Sequence, residues 1–220
     1  MGNWHHLAGP VRAALTRRVV VVGAESTGTT TMARALAERF RARGGVWADT
    51  RWVPEYGRRY SAEKFARLRA TRPGAGFAEV PWHSDEFVAV AERQLADDDA
   101  AARTGSPVLF CDTDALATVW HERYTGHRDP RVAEIAARGS HDLWLLTGHT
   151  GVPFEDDGLR DGPHLRAWMT GRLRAELTAR HLPHLLITGG HHERLRRAVA
   201  AVDELLSRPW HFTDPLPGRG

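Results

Sequence analysis

The chain has 220 residues, 42 % of them hydrophobic and 26 % charged, with a formal net charge of +3; this length suits one α/β domain with a full core. The single cysteine, Cys111, excludes a disulfide framework or a cysteine zinc cluster, and no apolar run reaches the roughly 20 residues of a membrane helix. With no basic-then-apolar start of a secretory signal, the expectation is a cytoplasmic protein with no membrane partner, and so slight a basic excess suits anionic small molecules as well as nucleic acid.

Arg18 to Val22 is a continuous β-branched run, the pattern of a strand buried on both faces. From Thr30 to about Arg43 the pattern is helical, with Met32, Leu36 and Phe40 four apart and Gly44-Gly45 ending it. Val46 to Pro54 reads as a second strand, Thr71 to Pro81 as a Gly- and Pro-rich loop, and Ser84 as the N-cap of a helix running to about Arg103. Val108 to Cys111 and Leu143 to Thr147 read as strands. Gly148 to His164 reads as a long polar loop, Leu165 to Arg180 as a helix, His184 to Thr188 as a fifth strand and Glu193 to Leu206 as a last helix. Strands alternating with helices imply a five-stranded parallel sheet with helices on both faces. Residues 17–208 form the expected domain, with an N-terminal extension at 1–16 and a tail at 209–220.

The octet Gly23-Ala24-Glu25-Ser26-Thr27-Gly28-Thr29-Thr30 follows a buried strand and opens a helix, the context of a P-loop. Glycines at its ends let the backbone fold into a nest of inward amides, and the following helix adds the positive end of its dipole. Residues 23 and 25–31 are therefore candidate phosphate contacts, with the hydroxyl of Thr30 placed to ligate Mg²⁺. The pattern has lysine after the second glycine, and here that residue is Thr29. An ordinary ligand-free glycine turn is the alternative.

Asp112 and Asp114 follow the apolar strand Leu109-Phe110-Cys111, at the carboxyl edge where open α/β sheets bind ligands. Asp112 is the candidate Mg²⁺ acid. Asp114 either holds a substrate hydroxyl or caps the helix after it. In Trp52-Val53-Pro54-Glu55-Tyr56-Gly57-Arg58-Arg59, Glu55 is a candidate general base and Arg58 an anion holder; a helix-terminal Glu with solvated arginines is the alternative. The run Glu155-Asp156-Asp157-Gly158-Leu159-Arg160 lies in the long loop and reads as a lid. Arg160, or Arg166 beyond it, is the candidate for the charge that Thr29 does not supply. Gly189, in Thr188-Gly189-Gly190, offers a flat turn for adenine. The 13 histidines include adjacent pairs that make poor chelators, and Asp97-Asp98-Asp99 reads as a solvated helix face.

Taken in order, GAESTGTTT, VPEYGRRY, FCDTDAL, DLWLLT and EDDGLRD resemble the nicotinamide riboside kinase domain of NadR-type proteins, from about Val19 to Leu206. The resemblance implies a P-loop NTPase fold akin to nucleoside monophosphate kinases, ATP with Mg²⁺, and transfer of the γ-phosphate to the 5′-hydroxyl of a nucleoside. The VPE stretch is also similar to deoxynucleoside kinases, in which that Glu serves as base, and this implies Glu55 as base; Asp112 and Arg160 are its expected catalytic partners, with Tyr56, Arg58 and Asp114 expected at the substrate. Where relatives stack an aromatic residue just before the Glu, this chain has Pro54, so Trp52 or Trp120 is expected to stack instead. A segment joining an upstream adenylyltransferase half is similar to residues 4–12. The alternative to a kinase is a nucleotide-binding sensor with weak or no transfer, motivated by Thr29.

Overall fold

The computed structural model describes residues 4–118, 126, 128–160 and 162–209. Five strands form one sheet: β1 (Arg17–Gly23), β2 (Arg51–Val53), β3 (Val108–Asp112), β4 (Leu143–Thr147) and β5 (His184–Ile187). They lie in the order β2-β3-β1-β4-β5, and every neighbouring pair is parallel. Strand β1 is central, and Val19, Val20, Val21 and Val22 are at most 2 % exposed. The β-branched run predicted as a doubly buried strand is therefore the spine of the molecule.

Side-chain alternation divides the core between the two faces. Val19 and Val21 pack with Met32, Leu36 and Phe40 of α2 (Thr29–Arg41) and with Ala198, Val202 and Leu205 of the last helix, α7 (His191–Ser207). Val20 and Val22 face the other way. They meet Ala13 of α1 (Gly9–Leu15), Ala102 of α4 (Ser84–Thr104), and Leu173 and Leu177 of α6 (Arg166–Ala179). Helices thus cover both faces, as the pattern predicts. A satellite cluster joins Phe87 and Ala91 of α4 to Val132 and Ile135 of α5 (Pro130–Arg138).

Four details depart from the sequence reading. The second strand is only three residues long. Gly44 and Gly45 both take positive φ, and residues 45–47 turn instead as a 3₁₀ segment that lays Trp47 against Phe40, ring centroids 5.8 Å apart. Helix α3 (Tyr56–Thr71) was not predicted; it buries no residue completely, so no apolar stripe marks it. Helix α5 was also missed, although Asp129 caps it by accepting from the Arg131 amide at 2.9 Å and Pro130 opens it. Residues 4–16 were expected at the periphery, yet Trp4 is buried and donates its indole N–H to the Gly105 carbonyl at 2.8 Å.

Candidate functional site

The octet after β1 folds as a cradle. Its left-handed residues are Ser26 (φ 56°) and Gly28 (φ 84°), and Gly28 leads straight into α2. Gly23 has no room for a side chain: a Cβ there would lie 2.0 Å from Thr147 Oγ1 and 2.5 Å from Thr27 Oγ1. The two threonines share a 2.7 Å hydrogen bond, Thr27 Oγ1 also donates to the Ala24 carbonyl, and Thr147 Oγ1 reaches the Val22 carbonyl. Strand β4 therefore shapes the loop from beneath. Among the described residues, the amides of Ser26, Thr27, Gly28 and Thr29 donate to no protein acceptor, as an anion nest requires.

Thr30 Oγ1 donates to Asp112 Oδ2 at 2.5 Å, which joins the start of α2 to the end of β3. The other oxygen, Asp112 Oδ1, is buried and has no hydrogen-bond partner among the described residues. Burial raises the Asp112 pKa above the usual carboxylate range, opposed by Thr30, Thr29 and Arg58. A buried carboxylate oxygen without a partner, beside a threonine hydroxyl, is a donor set suited to a hard divalent cation.

The cradle opens into a cavity of about 530 Å³. Glu55 borders it at the N-terminus of α3, without capping the helix through its side chain. Burial, then the neighbouring Asp112 charge, raises its pKa to about 7, against a smaller lowering by Arg58. Two arginines reach the cavity, Arg58 from α3 and Arg160 from the long loop, and both ion-pair with Asp157, which brings them together. The loop is fastened to the cradle, since the Glu155 amide donates to Ser26 Oγ at 2.8 Å. Thr113, with φ 77°, lies at the cavity edge directly after Asp112.

Gly23, Glu25, Ser26, Gly28, Thr29, Thr30, Thr31, Glu55, Arg58, Asp114 and Arg160 line this one cavity. Other expected contacts lie elsewhere or have their polar groups taken up by the fold. Trp52 packs on the α2 side of the sheet beneath the Arg34 guanidinium and faces a separate shallow groove. Tyr56 is held by its amide to Gln94 Oε1 at 2.9 Å, and its ring is flanked by Arg59 and Arg93. Asp114 is committed to the fold: Oδ1 accepts from the Leu116 and Ala117 amides, and Oδ2 accepts from the Trp144 indole at 2.6 Å. The capping alternative thus describes it. Gly189 is away from the cavity and takes the Arg194 Nε–H on its carbonyl. Arg166 lies behind the cradle, bonded to the carbonyls of Ser26, His149 and Val152. Trp120 lies outside the described residues.

Three aromatic residues that the sequence reading passed over, Phe77, Trp82 and Phe87, also line the cavity and are termed its aromatic arm. Trp82 packs on Phe87 with centroids 5.2 Å apart and on Tyr60 at 6.0 Å. Only its place just before the α4 start signal could have drawn notice. Asp98, read as solvated, is turned inward and 1 % exposed. It accepts from Gln94 and lies 3.4 Å from His141 Nε2, and its charge, after burial itself, pushes the Cys111 thiol well up. No helix among the described residues is long and apolar enough to cross a membrane.

Comparison with known proteins agrees with this architecture. The trifunctional NAD biosynthesis/regulator protein NadR of Escherichia coli K12 is 27 % identical over 158 residues, and its Salmonella typhimurium counterpart is equally similar. The match covers 71 % of this chain and 34 % of each relative, so the chain spans about a third of their length. The crystal structure of NadR protein in complex with NR superposes with a TM-score of 0.73 at 20 % identity, covering 96 % of this chain and 57 % of that one. NadR in complex with NAD and AMP-PNP gives 0.68 at 20 %, covering 94 % and 54 %. Thymidylate kinase from Ehrlichia chaffeensis gives 0.54 at 13 %, covering 88 % and 99 %. These neighbours share the P-loop NTPase fold. A family model described as an AAA domain matches residues 18–194, from the first buried strand to the fourth residue of α7, and the chain belongs to that family.

Proposed function

We propose that the chain is an ATP-dependent kinase that phosphorylates the 5′-hydroxyl of a nucleoside, with nicotinamide riboside the first candidate. One observation carries the reading: a single cavity joins an open amide nest, a raised-pKa carboxylate and an aromatic arm. The likeness to NadR, whose structures hold NR and AMP-PNP, supports the choice of substrate and donor.

The triphosphate lies in the nest of residues 23–30, with Arg160 and Arg58 on its outer side. Thr30 and Asp112 would hold Mg²⁺, which supplies charge neutralisation at the phosphates when bound. The nucleoside occupies the arm, its base against Trp82 and Phe87 and its 5′-hydroxyl toward Glu55. Glu55 accepts the hydroxyl proton as the new O–P bond forms and the bond to the β-phosphate oxygen breaks, releasing ADP. A base with a pKa near 7 is well matched to this task.

Purified chain given ATP, Mg²⁺ and a panel of nucleosides should release ADP together with a phosphorylated nucleoside. The second reading, a nucleotide sensor, is favoured by one observation, the threonine at position 29. It prevails if ATP binds but no nucleoside raises ADP release above the background with ATP alone.

A further inference from the structure

Two guanidiniums are buried directly behind the cradle. Arg194, in the first turn of α7, is 5 % exposed, and Arg166, at the start of α6, is 6 % exposed. Arg194 donates to the carbonyls of Thr27 at 3.0 Å, Gly148 at 2.8 Å and Gly189 at 2.7 Å. Arg166 donates to the carbonyls of Ser26 at 3.1 Å and Val152 at 2.8 Å. Among the described residues, neither is paired with a carboxylate. Each also bears the repulsion of a neighbouring arginine, Arg160 for Arg166 and Arg166 for Arg194.

Such an arrangement is expensive in isolation, because backbone dipoles offset only part of the cost of taking a cation out of water. Its geometry shows what the charges face. The Ser26 carbonyl shares a peptide plane with the Thr27 amide, and the Thr27 carbonyl shares one with the Gly28 amide. Carbonyl and amide point opposite ways across a trans peptide. Guanidiniums on those two carbonyls therefore hold the two amides toward the nest and polarise them.

We propose that Arg194 and Arg166 supply, from behind the loop, the positive charge that a lysine at position 29 would supply from the front. They act as positioning residues: no phosphate touches them, and the anion feels them through two oriented peptide groups and through their field. Thr29 is then tolerated because the nest is already cationic. This inference rests on the proposal that the cradle binds a triphosphate.

The test is calorimetric titration of the purified chain with inorganic tripolyphosphate. We expect one site per chain. Arg194→Gln keeps hydrogen-bonding ability but loses the charge, and should weaken binding on the order of tenfold, the scale of one unit charge acting across a partly screened site. Arg194→Lys keeps the charge but loses the three-way grip, and should recover most of that loss. Thr29→Lys should gain less than about threefold, because its charge adds to a site already supplied. Wild-type affinity in Arg194→Gln overturns the proposal. So does equal weakening in the Gln and Lys variants, which leaves Arg194 only a stitching role. A gain in Thr29→Lys of about tenfold or more also overturns it, and this variant decides alone if the Arg194 variants do not fold. If the wild-type chain binds no tripolyphosphate, the functional reading fails with it; if it binds and the variants do not differ, only this inference fails.

Discussion

Replacing Glu55 by glutamine should make the protein both more stable and catalytically silent, and pH separates the two effects. The carboxyl titrates near 4.5 in an unfolded chain and near 7 in the folded one, chiefly through burial. The folded state therefore holds a proton that the unfolded state has released between those two values. In that window stability falls as pH rises, and above about 7 the full penalty is present. Each pKa unit is worth about 1.4 kcal/mol. Discounted for the half-buried position of Glu55, which leaves its charge partly screened, the penalty is on the order of 2 kcal/mol. Glu55→Gln carries no such penalty. At pH 8 it should melt about 4–8 °C above the wild type, and at pH 4 the two should coincide. Thermal melts at both pH values measure this directly. In the proposed role as base, active only when ionised, the same group would also govern rate. The kcat/KM of the wild type should rise with pH through about 7 and then level off, and in Glu55→Gln both the rise and the activity should be lost. Equal melting gaps at pH 4 and pH 8 would refute the burial argument. A wild-type rate flat between pH 5.5 and 8 would refute the role as base.

Three further substitutions probe the walls of the site and its surroundings. Gly23→Ala places a methyl group 2.0 Å from Thr147 Oγ1. It should cost about 3 kcal/mol or more in a urea titration, through overpacking at a point fixed by two hydrogen bonds; a loss below about 1 kcal/mol would mean that the loop yields easily. Trp82→Ala should raise the nucleoside KM by about tenfold or more while leaving the ATP KM within about twofold, whereas Trp52→Ala should leave both nearly unchanged. The reverse ranking in steady-state kinetics would return Trp52 to the substrate.

The sheet was legible because its signal is dense. Five apolar runs, each ending near a turn residue, leave few alternatives, and the strand carrying Val19 to Val22 could hardly be read otherwise. The cradle was legible because its chemistry is local, spanning eight consecutive residues. The aromatic arm was not, because Phe77, Trp82 and Phe87 belong to a turn, a loop and a helix that meet only in three dimensions. Trp52 and Tyr56 misled for the converse reason. They neighbour Glu55 in sequence, but β2 turns Trp52 toward the α2 side of the sheet, and Tyr56 lies between two arginines. Asp98 shows the limit of reading charge runs. Three consecutive acids on a helix point in three directions, and one of them faces inward. Arg194 gave no sign of its place, since it is one arginine among several in a polar-looking helix start.

The dovetail among Gly23, Thr27 and Thr147 bears on how such sites can be moved. The curvature of the phosphate loop is shared property, half of it written more than a hundred positions downstream in the last residue of β4. Grafting residues 23–30 onto another strand–helix junction would carry over the letters without the hydroxyl that gives them their bend.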